Sequence, residues 1–298
     1  MRVLILGGSG MLGHKLWQIF ASRFDTWGTF RGLPLAYESV QLFDPSRSIG
    51  MVSVQNFSSV ENALRMVSPN VVINCIGVVK QDPAAKDPIT SIEVNALFPH
   101  RVAKICAATG TRLIHLSTDC VFSGRRGNYT EKDTPDAEDL YGRTKLLGEV
   151  FSENCLTIRT SMIGRELRGQ QGLLEWFLSQ EGKRVRGYKR AVFSGLTTQA
   201  LAEVIATVMV DHPGLHGLWN VTSTPISKFD LLTLLRQTYR LAIEIEADEI
   251  FICDRSLDGS AFLKATGIQP LSWPEMVKDM HDDPTPYGKI RERDDLKG

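Results

Sequence analysis

The chain opens on Val3-Leu-Ile-Leu6, followed at once by Gly7-Gly-Ser-Gly10-Met-Leu-Gly13. Four consecutive apolar residues fit a strand buried on both faces, as in a parallel sheet. From Met11 through Leu16, Trp17 and Phe20 the apolar positions take helical spacing. A strand, a glycine turn and a helix in that order constrain the fold strongly. Glycines permit the tight turn and bring the backbone close to a pyrophosphate at a helix N-terminus. Gly7, Gly10 and Gly13 satisfy G-x-x-G-x-x-G, and Gly8, Gly10 and Gly13 satisfy G-x-G-x-x-G. The expectation is a dinucleotide site whose backbone contacts include Met11 and Leu12.

The same alternation continues down the chain. Strands are expected at Thr26 to Phe30, Met51 to Val54, Asn70 to Gly77 and Thr111 to Leu116, with helices at Ser58 to Val67 and Thr90 to Thr109. Leu33 to Ser48, rich in turn formers, reads as a loop, and Asp82 to Asp87 as a link. Strands alternating with helices give an α/β, doubly wound parallel sheet of the Rossmann kind, whose ligands lie beyond the carboxyl ends of the strands. Gly7 to Gly13, the segment Cys75-Ile76-Gly77, Ser117-Thr118 and the loop before Tyr141 all fall at such ends. At the end of the second strand stands Arg31 and no acid, which favours NADP(H) over NAD(H) because arginine accommodates a 2′-phosphate. Arg47 competes for that role. Asn56 and Phe57 would lie beside the adenine, with a helix cap as the other reading of Asn56. Asn95, polar in an apolar helix pattern, is either exposed or a buried hydrogen-bonding device.

Tyr141 and Lys145 stand four apart in Tyr141-Gly-Arg-Thr-Lys145-Leu-Leu-Gly148-Glu149. On a helix spanning Thr144 to Val150 and its approach, both side chains share a face, and the ammonium would lower the phenol pKa. A general acid working near neutral pH needs such tuning. Lys plus Arg number 34 and Asp plus Glu 34, so no global field draws nucleic acid or an anionic membrane. Cys75, Cys106, Cys120, Cys155 and Cys253 are odd in number and widely spaced, which disfavours a disulfide framework or a structural metal and fits a reducing cytoplasm. The apolar runs are too short for a signal peptide or a membrane span.

Taken together these segments resemble the extended short-chain dehydrogenase/reductases, and within them the dTDP-4-dehydrorhamnose reductase-like group. The likeness rests on GGSGMLG, on Ser117-Thr-Asp-Cys-Val-Phe-Ser-Gly124, on YGRTKLLGE, and on strands at Ile158 to Ser161 and Gly217 to Val221. It implies that Thr118 hydrogen-bonds the substrate carbonyl, Tyr141 donates the proton and Lys145 binds the nicotinamide ribose. Asn95 matches a recurrent helix asparagine of the family. Cys120 departs from the group, which usually carries tyrosine there, and resembles the acid/base cysteine of GDP-fucose synthase. That enzyme also needs a histidine, and here none lies between Thr118 and Asp211, so a space-filling Cys120 is the better reading. Asp119 followed by Cys120 breaks the Asp-Glu pair of the 4,6-dehydratases.

After Met162 the pattern becomes less regular, as expected for a smaller mixed α/β substrate domain. The division expected is residues 1–163 plus 194–222 for the dinucleotide, 164–193 plus 223–281 for the substrate, and a frayed tail at 282–298. Helices are expected at Gly172 to Leu178, Leu201 to Met209 and Ser227 to Tyr239, the last capped by Ser227 or Thr224. Lys183, Arg184, Arg186, Lys189 and Arg190 form either a solvated edge or a clamp for a nucleotide-sugar diphosphate through Arg184 and Arg186. Arg255 is a further candidate nucleotide contact. Asp119 and Cys120 would border the substrate. The resemblance implies NADPH-dependent reduction of a 4-keto-6-deoxy nucleotide sugar, acting in surface polysaccharide synthesis and possible as a homodimer. The rival readings are a 4-epimerase or epimerase-reductase with bound NAD(P), and a non-catalytic NADP-binding regulatory subunit.

Overall fold

A computed structural model describes residues 1–33, 41–80 and 83–294. The first half builds strands β1 (Arg2–Leu6), β2 (Asp25–Thr29), β3 (Ser48–Ile49), β4 (Val71–Asn74) and β5 (Arg112–Leu116). Between them lie helices α1 (Met11–Phe20), α2 (Phe57–Val67), α3 (Pro88–Ser91) and α4 (Phe98–Thr109). Next come α5 (Leu140–Leu147), β6 (Cys155–Arg159), β7 (Met162–Ile163), α6 (Leu173–Leu178), β8 (Arg184–Phe193) and β9 (Leu196–Thr197). The chain continues through α7 (Thr198–Asp211), β10 (Gly217–Asn220), β11 (Ile226–Ser227), α8 (Lys228–Tyr239) and β12 (Glu244–Asp254). It ends in α9 (Ser260–Thr266), α10 (Trp273–His281) and α11 (Tyr287–Asp294).

Seven strands form one parallel sheet in the order β10-β6-β5-β4-β1-β2-β3. The continuous apolar run of β1 is explained by burial on both faces. Val3 and Ile5 join the core that holds Leu12 and Leu16 of α1 and Leu201 of α7. Leu4 and Leu6 join the opposite core, with Val60 and Leu64 of α2 and Val102 of α4. The doubly wound sheet expected from the alternation is therefore present. A second, mixed sheet runs β11-β8-β12, with β8 antiparallel to β11 and parallel to β12. Ser227 caps α8 by accepting from Asp230 N at 3.0 Å.

Several expectations need correction. The strand placed at Met51 to Val54 lies instead at Ser48–Ile49, because Met51 takes φ 58°, outside extended backbone, while Val52 and Val54 still bury their side chains. Residues 34–40 of the loop expected at Leu33 to Ser48 lie outside the described residues, as does Asp82 of the link; Pro83–Lys86 is a 3-10 turn. The helix carrying Tyr141 starts at Leu140, with Asp139 accepting from Gly142 N at 2.8 Å, and stops at Leu147. A carbon on Gly148 would stand 1.9 Å from the Asn95 carbonyl oxygen, so the helix end can sit there only as glycine.

Within the tail expected to fray at 282–298, the stretch from Asp283 to Ile290 is docked. Tyr287 and Ile290 of α11 are buried, and Asp283 pairs with buried Lys15 of α1. Thr285 accepts from Gln18 Nε2 at 2.8 Å, and His14 Nε2 lies 3.0 Å from the Tyr287 hydroxyl. These contacts join segments some 270 positions apart. Local composition gives them no signature.

Candidate active site

The turn after β1 builds the first wall. Gly7 has φ +85°, and its carbonyl accepts from Gly10 N at 3.0 Å. A carbon on Gly13 would stand 2.1 Å from that same carbonyl oxygen, so α1 approaches the turn as closely as it does only through glycine. Gly10 occupies the N-cap of α1, no side chain caps the helix there, and its first turn carries no acid. Backbone N–H groups and the positive end of the helix dipole are thus offered by Met11, Leu12 and Gly13, an arrangement that fits a dinucleotide pyrophosphate. Gly13→Ala is expected to abolish tight NAD(P)H binding and to cost about 1–3 kcal/mol of stability from forced backbone movement. Fluorescence titration and thermal melting measure both. Retention of wild-type affinity would place the nucleotide elsewhere.

Arg31 is exposed just beyond β2. Its rival Arg47 is drawn to Asp25 at 3.5 Å and to Asp44 at 3.9 Å. Asn56 sits at the N-cap of α2 without a side-chain capping bond, and Phe57 packs edge-on against Phe98 at 6.1 Å between ring centres. Cys75, Ile76 and Gly77 leave the end of β4. Asn95 settles as the buried hydrogen-bonding device: its Oδ1 accepts from Val78 N at 2.9 Å and its Nδ2 donates to Val78 O at 3.0 Å. It lies in a π-helical turn, Ile92–Leu97, between α3 and α4, a distortion often met where a side chain is aimed at a site. Burial pushes the Cys75 thiol up to about 12.

The end of β5 builds the opposite wall. Thr118 caps a 3-10 turn, accepting from Cys120 N at 3.1 Å and donating to Asp119 Oδ1 at 3.2 Å. Burial raises the Asp119 carboxyl, against the pull of Arg255 and Lys228, and pushes the Cys120 thiol up to about 12. Tyr141, in the first turn of α5, faces the same group: burial raises its phenol, Cys120 raises it further, and a hydrogen bond with Thr118 opposes them. Lys145 Nζ donates to Leu116 O at 2.6 Å. Burial brings the ammonium down to about 8, with Glu149 and Cys75 opposing.

The expected lowering of the Tyr141 pKa by Lys145 is therefore corrected. The ammonium donates one bond to the Leu116 carbonyl and does not figure among the groups acting on the phenol, where desolvation dominates and keeps the hydroxyl protonated. A neutral phenol is still competent as a proton donor.

A cavity of about 250 Å³ opens beside Cys120, with Phe122, Asp139 and Arg255 among its lining residues. Arg255 Nε donates to Phe122 O at 2.8 Å. Arg184 and Arg186 do not line it. They project from β8, mostly exposed, toward Glu244 at 3.0 Å and Asp248 at 4.0 Å of β12. The solvated-edge reading of the basic stretch describes their position. Lys228, Asp139 and Glu149 were not singled out from the sequence; Asp139 alone had a legible signal, as an aspartate just before a helix. Among the described residues, no group of three or more His, Cys, Asp or Glu could hold a metal, and no helix is long and apolar enough to cross a membrane.

Residues 1–231 match the family model of the RmlD substrate binding domain. The chain belongs to this family. A relative of the RmlD-like chain is the methionine adenosyltransferase 2 subunit beta of Mus musculus, 33% identical over 150 residues, or 50% of this chain and 41% of that protein. Another is the dTDP-4-dehydrorhamnose reductase of Mycolicibacterium smegmatis, 34% identical over 172 residues, or 55% of this chain and 46% of that protein. The match spans less than half the length of either. The dTDP-4-dehydrorhamnose reductase of Bacillus anthracis, solved in complex with NADP, superposes with a TM-score of 0.76 at 22% identity, over 94% of this chain and 98% of that one. That likeness speaks for the fold, and the family expected from the motifs is the family found.

Proposed function

We propose that this chain is an NADPH-dependent reductase of the 4-keto group of a 4-keto-6-deoxy nucleotide sugar, similar to dTDP-4-dehydrorhamnose reductase. The observation that carries the reading is that Thr118, after β5, and the Gly7–Gly13 cradle, after β1, stand at the same carboxyl edge of the parallel sheet with β4 between them, and that Tyr141 and Lys145 of α5 come in beside the end of β5. Reduced nicotinamide, when bound, supplies a hydride to the carbonyl carbon. Thr118 donates a hydrogen bond to the oxygen on which charge builds, and the Tyr141 hydroxyl gives it a proton. Lys145 holds the ribose and offsets the phenolate left behind. Arg31 selects the 2′-phosphate, and Asn56 and Phe57 border the adenine. Asp119, Cys120 and the cavity at Arg255 receive the sugar end, and Arg184 and Arg186 reach the diphosphate only if their partners on β12 release them. The five cysteines, all unpaired, suit a reducing cytoplasm, and a homodimer belongs to the same reading.

Incubation with NADPH and a panel of dTDP-, UDP- and GDP-linked 4-keto-6-deoxy sugars tests this. Oxidation of NADPH with formation of one 4-hydroxy product is expected. Copurified NAD with no net NADPH consumption would mark a 4-epimerase instead. The match to the mouse methionine adenosyltransferase subunit supports a second reading, a nucleotide-binding regulatory subunit. That protein would bind NADP and turn over no sugar in the panel.

A further inference from the structure

Behind the candidate site lies an ion pair that the reading above leaves without a role. Glu149 stands four residues after Lys145, and Arg159 closes β6. Two parallel bonds join them, Nε to Oε1 and Nη2 to Oε2, both 2.7 Å. Their side chains are 0% and 3% exposed. A pair this deep roughly breaks even against apolar residues of similar size, so its presence calls for a reason other than stability. The Nη1 atom of Arg159 is buried without a hydrogen-bond partner, while the guanidinium lies 5.3 Å over the ring of Phe122, which lines the cavity.

Glu149 also accepts from Ser117 Oγ at 2.7 Å. Ser117 follows Leu116, whose carbonyl takes the Lys145 ammonium, and precedes Thr118. Both residues of this dipeptide are thus gripped by groups from one stretch, Lys145 to Glu149. We propose that Glu149 is a positioning residue for Lys145: clamped by Arg159 and Ser117, its carboxylate gives the ammonium a buried counter-charge and fixes α5 to the strand end that carries Thr118. The proposal rests on the reductase reading only for what Lys145 does to a cofactor.

The groups facing Lys145 are Glu149 from its own segment, Cys75 beyond β4 and His115 on β5, while Tyr141 stands four residues earlier on α5. Burial leaves Cys75 and Tyr141 protonated and His115 neutral near pH 7. Glu149 is then the anion that favours the charged lysine. The ammonium is present below about pH 8 and lost as pH rises through that value. Removing the carboxylate moves this loss to lower pH.

Titration of Lys145 by NMR of isotopically labelled lysine, in the wild type, Glu149→Gln and Glu149→Gln/Arg159→Met, tests the proposal. Both variants are expected to titrate on the acid side of the wild type by roughly one pH unit. NADPH affinity should then fall roughly eightfold between pH 6.5 and 8 in the variants against roughly twofold in the wild type. The single variant strands Arg159, and the double variant removes that burden, so a folded protein remains to be measured. Wild-type titration of Lys145 in the folded double variant would overturn the proposal and leave the pair a scaffold. A shifted titration with NADPH affinity independent of pH would uphold the coupling and sink the assigned cofactor role of Lys145.

Discussion

In Tyr141→Phe, kcat/KM for the keto sugar is expected to fall on the order of 10²- to 10⁴-fold while NADPH binds as before. That loss corresponds to roughly 3–5 kcal/mol of transition-state stabilisation. The phenylalanine keeps the ring that fills the site and removes only the proton source. Burial holds the phenol protonated, so what is lost is a donor and not an anion. Thr118→Val should cost less, because it removes one hydrogen bond to the developing oxyanion and leaves the proton transfer in place. Steady-state kinetics with NADPH titration separates the two effects. Full activity in Tyr141→Phe would overturn the assigned chemistry, whereas loss of NADPH binding with activity would show a structural role for the ring.

What the sequence made legible follows the range of the interactions. The glycine turn and β1 could be read because strand burial, the φ of Gly7 and the close approach at Gly13 are set within a dozen residues. Ser227 as a cap was legible for the same reason. The misplaced third strand shows the limit of a local pattern: Val52 and Val54 are buried, as alternation suggested, yet Met51 takes a left-handed turn and the ladder forms three residues earlier. Burial and strand pairing are separate properties, and periodicity reports only the first.

At the site, the strand end that carries Thr118 and the helix that carries Tyr141 and Lys145 were legible, and the charge states of these groups were not. Lys145 four residues after Tyr141 suggested a cation tuning a phenol. Its ammonium is instead bonded to Leu116 O at 2.6 Å, a partner 29 positions back, and desolvation governs the phenol. The basic run of β8 misled in a similar way. Nothing near Lys183 announces that Glu244, Asp248 and Glu249 of β12 lie beside it in parallel register. Asn95 stood open between exposed and buried because its partner, the backbone at Val78, lies 17 residues away.

The docked tail carries the largest stability effect. In Asp283→Ala, Lys15 keeps its buried place on α1, 3% exposed, and loses the carboxylate that offsets its burial. Breaking a buried pair at one end costs about 3–5 kcal/mol, a fall in Tm on the order of 10 °C for a chain of this size. Burial pushes the Asp283 carboxyl up, yet hydrogen bonds from Lys15, Thr285 and Tyr287 outweigh it and hold it below the usual range. A carboxyl so depressed contributes stability that is complete above its unfolded value, near 4, and lost as pH falls through the lower folded value. Burial lowers the lysine against the same partner, so the intact pair itself adds little. Lys15→Met/Asp283→Leu should accordingly melt near the wild type while Asp283→Ala does not. Because His14 reaches both the Gly10 carbonyl at 2.8 Å and the Tyr287 hydroxyl at 3.0 Å, undocking the tail also loosens the N-terminus of α1. NADPH affinity in Asp283→Ala is therefore expected to drop well below that of the double variant, measured below the melting range of both. Equal affinities would show that the tail supports the fold without touching the nucleotide site.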